Sequence, residues 1–145
     1  MRIKSLFSII LLLMLSGCTT YRNNSSVMLE TLPQHYNQFD VEMAWDVRSI
    51  QGSTVIDGAV KNIRYFEMAQ LQVQVSALDD LGKVVHRATD FVNTLRENEA
   101  GSFKLTLPPL ASGSRLQFIY SYLGTDGGDP SSAVGWMQSF ESKVP

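Results

Sequence analysis

A chain of 145 residues with 12 Lys and Arg against 14 Asp and Glu carries a formal charge of −2. This is enough sequence for one well-cored domain, and its single cysteine leaves no internal disulfide to support it. A mildly acidic balance with no basic run argues against nucleic acid as a partner and gives no reason for electrostatic adhesion to anionic lipid.

The chain opens "MRIKSLFSIILLLMLSGC": two basic residues, Arg2 and Lys4, then an apolar run over residues 6–15, then Ser16, Gly17 and Cys18. About ten apolar residues are too few for the roughly 20 of a spanning helix and suit the hydrophobic region of a secretory signal. "LSGC" resembles the lipobox of bacterial lipoproteins, which implies cleavage before Cys18 and lipidation of its thiol. Residues 1–17 are then a signal peptide, and the membrane contact is a covalent lipid. Thr19 stands where an aspartate is associated with inner-membrane retention, which points to the outer membrane, facing the periplasm. The polar stretch that follows, with its Asn and Ser cluster at residues 23–26, reads as a tether over residues 18–38.

From Phe39 the hydropathy pattern takes period two, the mark of half-buried strands. "FDVEMAWDV" puts Phe39, Val41, Met43, Trp45 and Val47 on one face. "STVIDGAVKN" aligns Ile56, Gly58 and Val60. "AQLQVQVSAL" sets Ala69, Leu71, Val73, Val75 and Ala77 inward against Gln70, Gln72 and Gln74. "KVVHRATDFV" is rich in β-branched residues, "SFKLTL" aligns Phe103, Leu105 and Leu107, and "RLQFIYSYL" aligns Leu116, Phe118, Tyr120 and Tyr122. "AVGWMQSF" closes the series with Val134, Trp136 and Phe140. Turn signals separate these runs: "QGS", "NIRY", "DDLGK", "RENEAG", "PPLASGS" and "TDGGDP". About seven short strands without a long helix predict an all-β fold, a single antiparallel β-sandwich over residues 39–145. One short helix over residues 91–99 is compatible with that class.

The region 53–109 resembles the FxLYD-type immunoglobulin-like domains of bacterial secreted and lipid-anchored proteins. The resemblance is carried by Gly58, Val60 and Asn62, by Val73, Val75, Ala77 and Asp79, by Gly82 and Lys83, and by Leu95, Glu99 and Phe103. Leu78 replaces the tyrosine of that pattern, and "RENEAG" replaces its Pro-Gly loop. The resemblance implies an immunoglobulin-like sandwich serving as a structural or interaction module, with no catalytic residues to carry over. Physically, Gly82 suits the positive φ of a tight turn, and Asp79 and Asn62 can accept or donate hydrogen bonds where strands end.

Candidates for chemistry are few. His35 and His86 lie in unlike contexts, and no Cys/His cluster offers a zinc site. No Gly-x-Ser-x-Gly elbow is present. Asp79 with Asp80, and Glu97 with Glu99, read as solvated turns. The "TDGGDP" loop places Asp126 and Asp129 around two glycines, where oxygen ligands could meet calcium, although it lacks the ligand series of an EF-hand. Among the aromatic residues Trp45, Tyr120, Tyr122, Trp136 and Phe140, Trp136 stands out, outside the resemblance and next to that loop. The expectation is a lipid-anchored envelope protein that acts as a non-catalytic protein-interaction or assembly module, with no cofactor. The alternative is a ligand-binding lipoprotein with a calcium or glycan site near residues 125–136, built on Asp126, Asp129 and Trp136.

Overall fold

The computed structural model describes residues 24–126 and 130–145. The signal segment, Cys18 and Asp129 lie outside the described residues.

The order of elements is a helix α1 (Asn24–Thr31), then strands β1 (Gln34–Asn37), β2 (Val41–Ile50), β3 (Ser53–Asn62), β4 (Glu67–Leu78), β5 (Val84–Phe91), β6 (Ala100–Leu107), β7 (Arg115–Thr125) and β8 (Val134–Lys143). A short 3-10 turn, Pro130–Ser132, precedes β8. The strands form two four-stranded antiparallel sheets, ordered β1-β2-β3-β6 and β5-β4-β7-β8. The protein is an antiparallel β-sandwich of the immunoglobulin-like kind, as the period-two pattern predicts.

The core forms where the two inner faces meet. Val41, Met43, Trp45, Ile56 and Val60 of one sheet face Leu71, Val73, Val75, Leu116, Phe118 and Tyr120 of the other, all of them buried. Gly58 belongs to this interface because the Phe103 ring lies over it; an added Cβ would fall 2.2 Å from the ring's Cζ. At the β4–β5 turn, Asp79 Oδ1 accepts the amides of Leu81 and Lys83 at 3.0 and 2.8 Å, and Gly82 adopts φ +78°. Both features follow from the chemistry of "DDLGK".

Four expectations need correction. The ordered fold begins well before Phe39: residues 24–38, expected to be tether, hold a helix and a strand and are part of the domain. The helix α1 lies against β2, β3 and β6, over the outer face on which Ala44 and Ala59 pair and are fully buried. Strand β1 brings the count to eight among the described residues. "QHYN" shows almost no alternation, and tertiary contacts hold it: Tyr36 stacks on Phe140 at 3.8 Å, and Ser142 Oγ donates to Gln34 Oε1 at 2.8 Å.

In β4 a bulge between Ala69 and Gln72, with Gln70 at φ +52°, breaks the phase, so Met68 is fully buried where Ala69 was expected. An extra residue in one strand turns everything before it to the opposite face. Residues 91–99 form no helix. Leu95 instead makes a β-bridge to Met68, and the two exchange backbone hydrogen bonds of 2.9 and 3.0 Å.

The connections after β1, β3, β5 and β7 gather at one end of the sandwich. There the Ile63 amide donates to the Asp40 carbonyl at 3.1 Å, tying two of them together.

Candidate functional site

Two buried polar side chains organise this loop end. Asn62 is fully buried at the end of β3. Its Nδ2 donates to the carbonyls of Phe66 (2.7 Å) and Leu95 (3.0 Å), and its Oδ1 accepts the Arg64 amide at 2.8 Å. Its backbone joins too, donating to the Glu99 carbonyl and accepting from the Asn98 amide. Glu99 Oε2 in turn accepts the Arg96 amide at 2.9 Å. The residues carrying the family resemblance here therefore close loops.

The second is Asp40, also fully buried. Tyr120 Oη donates to its Oδ1 at 2.8 Å and Tyr122 Oη to its Oδ2 at 2.9 Å. Alternation along β7 aims both tyrosines inward, and their stacked rings lie 6.5 Å apart. Burial, and next the hydrogen bond to the Asp40 carboxylate, push both phenols well above their ordinary pKa, while the nearby Arg64 charge opposes the rise at Tyr122.

Above this layer a cleft of ≈ 370 Å³ opens between the sheets. Phe39 and the β3–β4 connection, Arg64 to Phe66, form one wall. The end of β7, Asp126, Ser132 and the start of β8 form the other. The Arg64 guanidinium lies 5.5–5.8 Å from the ring centres of Phe39, Tyr65 and Phe66, within range of a cation–π contact with each. Its Nε is buried with no hydrogen-bond partner among the described residues. Phe39 meets Trp136 edge-on at 5.4 Å.

Large apolar side chains are unusually exposed around this mouth: Phe39 at 48 %, Tyr65 at 75 %, Val134 at 63 % and Trp136 at 39 %. The reason is geometric. Trp136 and Val134 sit opposite Tyr122 and Gly124 in the β7–β8 register, on the inner face of their sheet. Strand β1 ends at Asn37, so no strand of the facing sheet covers them.

Of the residues singled out from sequence, the structure brings Asp126 and Trp136 into this one cleft, and Asp129 is outside the described residues. The other four aromatics pack inward: Trp45 contacts Phe118 (4.8 Å) and Phe140 (5.5 Å), and Tyr120 and Tyr122 are buried. His35 and His86 are exposed on different sheets. Among the described residues, no three His, Cys, Asp or Glu side chains are grouped to hold a metal ion.

Sequence reasoning missed Arg64 and Tyr65, which it assigned to a turn, and Phe66 beside them, and it placed Phe39 inward. The available signal was "RYF" itself, a cation and two aromatics at a position where turns are usually small and polar.

No family model matches the chain, and no curated protein does. Among solved structures, the GAE domain of GGA2p from Saccharomyces cerevisiae is similar, with a TM-score of 0.54 at 11 % identity, covering 77 % of this chain and 96 % of that one. At this identity the likeness shows the fold alone, and it agrees with the sandwich described above.

Proposed function

We propose that the protein is a lipid-anchored module of the bacterial envelope that binds a protein partner without catalysis, and that the aromatic cleft at the loop end is its contact site. The lipid on Cys18 holds it at a membrane, the outer membrane facing the periplasm by the Thr19 rule, and the sandwich presents the cleft rigidly. The carrying observation is the exposure of Phe39, Tyr65, Val134 and Trp136 around one concavity. Exposed apolar patches on soluble domains mark interaction surfaces, and Trp, Tyr and Arg dominate contact energetics. The FxLYD resemblance supports the same reading, since its Gly58, Asn62, Asp79, Gly82 and Glu99 serve the scaffold and leave the cleft to residues outside the pattern.

The test is photo-cross-linking in intact cells with a reactive residue at Trp136, alongside a control probe at Gln74 on the outer face of β4. Adducts to a single envelope protein from Trp136 and none from Gln74 are expected. Adducts from Gln74 alone would move the contact to the sheet face, and silence at both would sink the partner reading. In the same cells Cys18→Ser should shift the protein from the membrane to the soluble fraction.

A second reading, a calcium or glycan site, is favoured by Asp126 and Trp136 sharing the cleft. Calcium raising the thermal midpoint, or a soluble envelope glycan changing Trp136 fluorescence, would put it first.

A further inference from the structure

The cleft has an open side, and the strand beside it is unprotected. Strand β8 is the outer strand of its sheet, paired with β7 over its whole length without a register shift. Its segment 134–140, "VGWMQSF", contains no charged residue and no proline, the two usual guards of an exposed edge.

The other outer strands are defended. Strand β1 is four residues long. Strand β5 carries His86, Arg87 and Asp90. On β6 the Lys104 amide is already taken by Asp90 Oδ2 at 2.8 Å. In β8 the far half is backed by Tyr36 on Phe140 and by Gln34 on Ser142, while the near half, which carries Val134 and Trp136, meets the facing side through the edge-on contact of Phe39 with Trp136.

Hollows flank this near half on both faces. The cleft lies on the inner side, and a shallower hollow bordered by Gln70, Gln72, Leu123 and Met137 lies on the outer. A strand laid along the edge would send alternate side chains into each, since its side chains point to opposite faces with period two.

Charge selects the occupant further. Arg64 has a buried Nε without a hydrogen-bond partner and makes no ion pair among the described residues. A partly desolvated guanidinium is best answered by a carboxylate, which can accept two of its N–H groups at once. A second copy of this chain pairing edge to edge over 134–140 would bring Glu141 as its nearest carboxylate, and that group is already held by Arg115 at 3.0 and 3.1 Å.

We propose that the partner contributes an extended, acidic-apolar segment that adds to β8 as a further strand over residues 134–140, with one apolar side chain in the cleft and an Asp or Glu on Arg64. Backbone hydrogen bonds then hold the segment while the cleft and Arg64 select its sequence. The inference rests on the protein-partner reading and makes it specific.

The experiment uses the full lipidated protein in intact cells, with the photo-reactive residue placed in turn at positions 134 to 139, and the cross-linked partner residue sequenced each time. Strand addition requires the partner site to move by one residue in a constant direction as the probe moves by one. Arg64→Glu should lower the adduct yield roughly tenfold, with an unchanged thermal midpoint as the control for folding. Exchanging the partner's identified carboxylate for Lys should restore the yield in Arg64→Glu. A single partner whose cross-linked residues show no register, or a yield indifferent to Arg64→Glu, overturns strand addition and leaves the partner reading standing. No adducts from any of the six positions overturns both.

Discussion

Asn62 and Asp40 sit a few residues apart in space at the same end of the sandwich, both fully buried, and they finish their halves of it differently. Asn62 spends the hydrogen bonds of its side chain on main chain, so the β3–β4 and β5–β6 connections close over it. Asp40 spends its oxygens on two tyrosine side chains from the opposite sheet. The rings become a floor, and the space above stays open as a cleft edged by exposed aromatics. Main-chain partners seal a loop end; side-chain partners leave it furnished. The second arrangement costs the molecule apolar surface in water, and that is the ground for seeking a ligand there.

Removing each anchor should separate the two halves. The largest effect is expected for Asn62→Ala, which orphans two buried carbonyls and an amide and should cost about 3 kcal/mol in urea unfolding. A loss under about 1 kcal/mol would mean the loops hold without it.

Asp40→Ala strands two phenols but also relieves a buried carboxylate of its desolvation, so about 2 kcal/mol is expected. Its signature should be a changed environment around Trp136, which Asn62→Ala should leave alone.

Next comes pH. Because both phenols titrate higher in the folded state than in the unfolded chain, the folded protein retains protons that the unfolded one releases. Stability is therefore whole below about pH 10 and falls as pH rises beyond it. Tyr122→Phe should cost about 1 kcal/mol at neutral pH and flatten that alkaline decline. An unchanged decline would place its origin elsewhere.

The smallest effect belongs to Arg64→Ala. Lost stacking on the rings is offset by removal of an unsatisfied Nε, so unfolding should change by about 0.5 kcal/mol or less. A large loss would make Arg64 a structural residue and remove its claim on a ligand.

The architecture was legible where strands are half-buried. Residues 71–77 and 116–122 alternate cleanly because one face meets the core and the other meets water. Turn chemistry was legible at Asp79 and Gly82 for the same local reason. What escaped was whatever depends on distant partners. Tyr36 makes a strand of "QHYN" only because Phe140 is there to stack on, and α1 carries no amphipathic stripe since it covers alanines. The bulge at Gln70 left no mark in the pattern beyond an extra residue. The cleft was half legible: Trp136 and Asp126 drew notice as an aromatic and a carboxylate beside a glycine loop. Arg64 and its rings were hidden inside what reads as a turn.

The docking of α1 on the sandwich has a mechanical consequence if the protein is anchored as proposed. Five residues, 19–23, separate Cys18 from the helix that starts at Asn24, and a stretch of that length spans roughly 20 Å at most. Ser25 lies beside residues 91–102, at the same end as the cleft. Under the proposed lipid anchor, so short a link would keep the domain close to the bilayer while leaving it able to turn. A segment that meets the proposed contact site would then have to be presented near the lipid headgroups.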